Sequence, residues 1–205
     1  MKRQFVIDNP LEAEEMRVTT QDVIYPFPIQ NIQRNPMFLI FHDVISPKKI
    51  KNLIKEIEPF ASPMIPHSEL SPIDRYGCNI PLEGFESLYK TMAEVMIEAN
   101  KMKFHSQLIG FFEELRFIKY TKGGFAELHT DYDSGSDKSK LSSILMLSKK
   151  KDYEGGEFTL LEHSVPELEQ GDMIVFPAYL AHSVLPVTSG VRRVIGAWAS
   201  GFDFI

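Results

Sequence analysis

The chain of 205 residues sets 28 acidic against 22 basic side chains, a formal charge of −6. That balance gives no ground for sustained contact with a polyphosphate backbone, where lysine and arginine must displace counterions, so nucleic acid is a less favoured partner. Cys78 is the only cysteine, which excludes an intrachain disulfide and a cysteine-based zinc site and agrees with a reducing compartment.

The N-terminal stretch "MKRQFVIDNPLEAEEMR" turns acidic early and lacks the apolar core of a signal peptide. No uninterrupted apolar run reaches the roughly 18 residues of a membrane span. A soluble cytoplasmic protein is expected, with its oligomeric state open. Residues 1–36, proline-containing and without a helical period, are expected to form an arm that leads into a strand at "MFLIF". Residues 37–107 should be a helical support region of the same domain. In "SPKKIKNLIKEIEPF", Ser46 stands at the cap position, Pro47 in the first turn, and Ile50, Leu53, Ile54 and Ile57 recur at helical spacing. Residues 61–84 hold four prolines and two glycines without an apolar period and are expected to form a long loop. A second helix is expected from about Phe85 to Lys101, with Leu88, Met92, Val95, Met96 and Ala99 on one face. From residue 108 to 205 the texture changes to short β-rich runs between turns, which predicts a sandwich or barrel.

Chemistry concentrates in "FAELHTDYDS", residues 125–134. Side chains separated by one position on a strand share a face, so His129 and Asp131 can reach one ion. A third ligand must come from elsewhere in the barrel. His163 in "EHSV" and His182 in "AHSV" look alike locally, but only His182 is followed, across a turn, by a strand opening on Arg192 and Arg193. His182 is therefore the expected ligand and His163 a surface residue. His42 and His105 are expected to be satisfied structural residues, and His67 lies in the long loop. Two histidines and one carboxylate leave coordination positions open on one side of a metal, an arrangement used by non-haem iron oxygenases. Zinc hydrolases use similar ligands, so the triad by itself does not name the reaction.

Five pieces follow one another in order: "RFIKYTKGGFAELHTD", "LSSILMLS", "DYEGGEFTLL", "GDMIVFPAYLAHSVLPV" and "TSGVRRVIGAWAS". On these, the block from Leu115 to Trp198 resembles the catalytic domain of Fe(II)/2-oxoglutarate dioxygenases, in particular their prolyl 4-hydroxylase-like branch. The resemblance implies a mainly β fold with N-terminal helices: a double-stranded β-helix, or jelly-roll, cupin-like barrel. It implies His129, Asp131 and His182 as ligands of Fe(II), with 2-oxoglutarate as cosubstrate, O2, and ascorbate as a candidate accessory reductant. It also implies that Arg192 binds the far carboxylate of 2-oxoglutarate, with a hydroxyl from Thr188, that Tyr120 hydrogen-bonds the cosubstrate, and that Ile144 and Phe158 wall the pocket. Arg193 is expected to face solvent and Trp198 to fill the barrel interior as core. The chain departs from some relatives in placing Met146 nearest the position of an assisting tyrosine.

By the same resemblance the reaction is hydroxylation, with release of succinate and CO2. Asp131 argues against a halogenase, whose metal site gives up the carboxylate for halide. A peptide or protein is the favoured substrate, through a prolyl or other peptidyl side chain. Loop 61–84 and residues 131–140 are expected to clamp it, with Arg75 or Tyr76 taking part. The rival readings are a cupin-like metal-binding barrel without oxygenase activity, and a dioxygenase acting on a small molecule or nucleic acid.

Overall fold

The structure is a computed structural model that describes residues 5–6, 37–64, 75–132, 139–161 and 163–202. In chain order its elements are β1 (Phe5–Val6), β2 (Leu39–Phe41), α1 (Pro47–Ile57), β3 (Ser62–Pro63), β4 (Arg75–Ile80), α2 (Glu86–Ala99), β5 (Leu108–Gly110), β6 (Leu115–Tyr120), β7 (Ala126–His129), β8 (Ser139–Met146), β9 (Tyr153–Gly155), β10 (Phe158–Leu160), β11 (His163–Ser164), β12 (Met173–Pro177), β13 (His182–Val184), β14 (Val187–Gly190) and β15 (Arg192–Gly201). Among the described residues the strands form a major sheet in the order β1-β2-β12-β8-β15-β6-β4-β3, with β5 also on β15. A minor sheet runs β11-β10-β13-β7, and β14 pairs with β9 as a ribbon. This is the double-stranded β-helix, with every strand pair antiparallel.

Two cores follow from the alternation of side chains across the major sheet. Its outer face packs on the helices. Ile50 and Ile57 of α1, and Leu88, Met92, Val95, Met96 and Ala99 of α2, join Leu115, Phe117, Leu141, Leu145, Val175 and Ile195 in one buried cluster. The apolar positions read from sequence are thus the ones α2 buries. The inner face meets the minor sheet through a second cluster that contains Ile174, Phe176, Val194, Phe158 and Leu160. Burying both faces explains why β8 and β15 read as nearly continuous runs of small and apolar residues. Ser46 begins α1 in extended backbone but makes no side-chain capping bond. Its carbonyl accepts the Ile50 amide at 3.0 Å. Beyond α2 a π-helical turn, Asn100–Phe104, ends on His105 in the left-handed region at φ 52°.

The expected loop at 61–84 is corrected in part. Arg75–Ile80 is a strand that pairs with β6 from Arg75↔Tyr120 to Ile80↔Leu115. The glycine that argued for a loop is required by close approach, because a Cβ on Gly77 would stand 2.8 Å from the Phe117 carbonyl oxygen and 2.9 Å from Met64 Sδ. Residues 65–74, which include His67, and residues 133–138 of the second expected clamp lie outside the described residues, as does the expected arm apart from Phe5–Val6. His105 is exposed rather than set in apolar surroundings. His42, also partly exposed, is satisfied by Asp172 at 2.9 Å.

Candidate active site

β7 ends on His129, and β13 opens on His182 directly opposite it. Two residues past β7 the chain is tied down by the Asp131 amide, which donates to the Ala178 carbonyl at 2.9 Å. These three residues form the group able to hold a metal among the described residues, with ligand atoms all within 4.8 Å of one another. Asp131 Oδ1 lies 3.7 Å from His129 Nε2, and Asp131 Oδ2 lies 3.4 Å from His182 Nε2. Each imidazole uses its other nitrogen as an orienting donor. His129 Nδ1 reaches the Glu127 carbonyl at 2.7 Å and His182 Nδ1 the Leu180 carbonyl at 3.0 Å. Donation from Nδ1 leaves the Nε2 lone pair for a metal, the usual way in which a ligand histidine is fixed in tautomer and orientation.

His182 is 5% exposed and sits against Phe176 and Phe158, at ring distances of 4.9 Å and 5.7 Å. Burial pushes its pKa down, with Asp131 opposing and His129 reinforcing the shift. The neutral, metal-binding form is therefore favoured. Ser142 of β8 donates to Asp131 Oδ2 at 2.6 Å. Sequence reasoning missed this contact, since Ser142 and Ser143 are equivalent until β8 is given a register. His163 is placed elsewhere: β11 and β13 flank β10 on opposite sides, with Leu160 opposite both His163 and His182.

The triad opens into a cavity of about 550 Å³ whose lining includes Tyr120, Ile144, Phe158, Val194 and Arg192. Arg192 is 1% exposed, and its three guanidinium nitrogens have no hydrogen-bond partner. It faces Tyr120 as a direct cross-strand partner, with the guanidinium carbon 5.4 Å from the phenol ring centre. Burial pushes the Tyr120 phenol up, against the opposing effects of Arg192 and of Arg75, which hydrogen-bonds it. The hydroxyl therefore stays protonated and able to donate. Gly156, at φ 68°, makes room for Arg192, because a Cβ there would lie 3.0 Å from Arg192 Cδ and 2.9 Å from Val187 Cγ2. That gives the "GG" of "DYEGGEF" a physical reason.

Three expectations for this region are corrected. Thr188 is exposed on β14 and is not part of the cavity lining; Val187, one residue earlier, takes the inward position and Thr188 the outward one. Trp198 does share the face of Arg192, but it is half-buried at the cavity wall beneath Arg116, 5.1 Å from ring centre to guanidinium carbon, rather than core. Arg193 is not free in solvent: it makes a two-point ion pair with Glu58. Met146 is buried in the inner core and does not line the cavity. Of the two residues proposed for substrate contact, Arg75 lines the cavity, whereas Tyr76 faces Lys119 outside it.

A larger groove of about 1030 Å³ opens between α1 and α2. Its buried acid, Asp172, is taken up by His42 and by the amides of Asp43 and Glu169. The triad of metal-binding groups lies at the smaller cavity, and no such triad lies in this groove among the described residues.

Two nitrogen donors and one carboxylate at one edge of a cavity suit an octahedral divalent ion with open positions, and an unpartnered buried guanidinium in the same cavity suits a carboxylate. Both features line the same cavity. Residues 115–200 match the family model of the 2OG-Fe(II) oxygenase superfamily. A PKHD-type hydroxylase of Prochlorococcus marinus is 40% identical over 91 residues, covering 42% of this chain and 41% of the relative. One from Stenotrophomonas maltophilia is 39% identical over 93 residues, with 40% and 41% covered. The chain thus aligns with about two fifths of the length of these curated relatives. The fold is similar to the crystal structure of a Pseudomonas putida prolyl-4-hydroxylase, with a TM-score of 0.65 at 19% identity over 82% of this chain and 94% of that one. It is also similar to the viral collagen prolyl hydroxylase of Paramecium Bursaria Chlorella virus-1, with a TM-score of 0.61 at 17% identity over 82% and 97%.

Proposed function

We propose that the protein is an Fe(II)- and 2-oxoglutarate-dependent dioxygenase that hydroxylates a prolyl or other peptidyl side chain. The observation that carries this reading is Arg192, whose buried, unpartnered guanidinium lines the same cavity as His129, Asp131 and His182. A cationic side chain left alone at 1% exposure costs several kcal/mol of desolvation, at about the level expected for a buried ion without its partner. A purely structural or metal-storing barrel has no use for that cost, and a bound dicarboxylate removes it.

The bound group supplies the oxidant: one 2-oxoglutarate and one O2 become succinate, CO2 and one oxygen atom inserted into a substrate C–H bond. The protein's share is positioning and exclusion of water. His129 and His182, each held through Nδ1, would hold the iron through Nε2, with the Asp131 carboxylate as third ligand. Arg192 would hold the far carboxylate of 2-oxoglutarate in a charge-assisted pair, with the Tyr120 hydroxyl as a donor beside it. Ile144, Phe158, Phe176 and Val194 keep the surroundings apolar. Trp198, Arg116 and Arg75 are left to meet the primary substrate.

A peptide substrate is favoured by the similar folds, those of a prolyl-4-hydroxylase and a collagen prolyl hydroxylase. Residues 108–205 furnish the catalytic barrel and residues 37–107 its support, with β2 and β4 lent to the major sheet. No helix among the described residues is long and apolar enough to cross a membrane, and the single cysteine supports a cytoplasmic setting.

Succinate release from 2-oxoglutarate is the test, measured with Fe(II) and ascorbate, alone and then with proline-containing peptides, nucleotides and metabolite pools. Stimulation by peptide with a gain of one oxygen in its mass supports the reading. Stimulation only by nucleotide or metabolite transfers it to the rival substrate class, and no iron-dependent succinate under any condition overturns it.

A further inference from the structure

The inner and outer faces of the sheet are coupled at the mouth of β15. On the inner face Arg192 and Tyr120 are direct cross-strand partners, and one residue along, Arg193 and Lys119 are direct partners facing the other way. Like charges set opposite each other on an antiparallel pair repel and push the strands apart. Glu58, in the turn after α1, stands between them. Arg193 Nε donates to Glu58 Oε2 at 2.9 Å, Arg193 Nη2 donates to Oε1 at 3.0 Å, and Lys119 Nζ pairs with Oε1 at 2.9 Å.

The backbone is pinned at the same point. The Ser148 hydroxyl donates to the Val191 carbonyl at 3.0 Å and accepts the Arg193 amide at 2.8 Å, so the residues on either side of Arg192 hang from one oxygen. The direct pairing of β15 with β8 begins at Val194↔Met146, and just before it the Arg193 carbonyl accepts the Leu147 amide at 3.0 Å. Arg192 itself pulls against order, because a guanidinium with no counter-ion gains by reaching water.

We propose that Glu58 is a positioning residue for the cosubstrate end of the cavity. By bridging Lys119 and Arg193 outside the sheet, it holds Tyr120 and Arg192 at the separation a diacid requires inside it. Glu58 touches neither metal nor cosubstrate and acts only through the two strands. The inference rests on the reading that Arg192 binds 2-oxoglutarate, so its test separates the two.

Binding is measured by calorimetry on the full chain loaded with Mn(II), which leaves turnover out of the readout. Wild type should bind 2-oxoglutarate and Arg192→Ala should not; failure of either overturns the cosubstrate reading itself. Given that pair of results, Glu58→Gln should weaken 2-oxoglutarate about three- to tenfold, the size of effect that coupling through a packed network produces, while Mn(II) affinity stays within about twofold. Adding Lys119→Met to Glu58→Gln removes the repulsion and should return most of the lost affinity. Ile50→Val, which loosens α1 in the outer core, controls for general destabilisation and should leave the diacid affinity alone. Unchanged 2-oxoglutarate affinity in Glu58→Gln overturns the proposal. So do equal losses of metal and diacid, a comparable loss in Ile50→Val, or a double variant no better than the single one.

Discussion

The Ser142 hydroxyl donates a 2.6 Å hydrogen bond to Asp131 Oδ2, the same oxygen that faces His182 Nε2 at 3.4 Å. One lone pair of the carboxylate is thereby spent on the protein, and the carboxylate plane is fixed before a metal arrives. Outer-shell partners of this kind are worth about 10- to 100-fold in metal affinity when removed. Ser142→Ala is expected to weaken Fe(II) or Mn(II) binding in that range while leaving the fold intact, measured by metal titration and circular dichroism. Ser143→Ala, whose hydroxyl turns instead toward the Ala197 carbonyl and Met96, should leave metal affinity unchanged.

The two similar histidine segments give a sharper contrast. His182 is buried and shares a ligand group with His129 and Asp131, whereas His163 sits across β10 on β11. Alanine at 129, 131 or 182 should abolish iron-dependent succinate release, and chelation of wild type should do the same reversibly. His163→Ala should retain turnover within about twofold, the margin expected of a site outside the network. An inactive His163→Ala with an active His182→Ala would reverse the strand assignment.

The closeness of His129 and Asp131 was legible from their spacing, but strand alternation is not its cause, because β7 ends on His129 and Asp131 stands in a bend beyond it. The choice between His163 and His182 was legible because Arg192 follows only one of them. The helices were legible through their apolar spacing. What escaped depended on distance along the chain or on local breaks in the pattern. Glu58 and Arg193 are 135 residues apart, and nothing near Arg193 announces a partner, so the outward-facing side of the strand read as solvent. The hydroxyl expected of Thr188 was not testable from sequence, because which of Val187 and Thr188 faces inward is set by β14, where Val187 is buried and Thr188 exposed. β4 was hidden by Gly77, which reads as a breaker although its missing Cβ is what lets Phe117 and Met64 come close.

Gly156 ties the turn chemistry to the cosubstrate. Alanine there meets the left-handed backbone at φ 68°, with Arg192 Cδ at 3.0 Å from the added Cβ. Strain of about 1–2 kcal/mol is expected from the backbone alone. Gly156→Ala should therefore lower the melting temperature and raise the KM for 2-oxoglutarate while metal affinity is kept. Arg192→Ala should raise that KM far more, since removing one partner of a buried charge pair costs about 2–5 kcal/mol, and should not lower stability in the ligand-free protein. Thermal melts beside steady-state kinetics separate the two effects.

Arg116 over Trp198 marks the wall left for the primary substrate. Its other named partner, Glu113 at 3.4 Å, is exposed and contributes little. Arg116→Ala should raise the KM for a peptide substrate several-fold, about what loss of one cation–π and packing contact produces. Succinate release in the absence of peptide should stay at the wild-type level. A change in the uncoupled reaction instead would place Arg116 at the cosubstrate.

Glu58 also makes a pH prediction whose sign is fixed by its surroundings. Burial pushes its carboxyl up, but the hydrogen bonds and charges of Arg193 and Lys119 outweigh burial, and the pKa lies below the ordinary 4.5. A carboxyl whose pKa is lowered by folding stabilises the folded state fully above its unfolded value and loses that contribution as the pH falls through the folded value. The melting temperature of wild type should therefore exceed that of Glu58→Gln by a constant margin at neutral pH, and the margin should close on acidification below 4.5. Lys119→Met should shrink the margin wherever Glu58 is ionised, because part of the attraction is gone there. A gap between wild type and Glu58→Gln that widens in acid would mean that the carboxylate is held against its preference, and that the bridge between the two strands stabilises nothing.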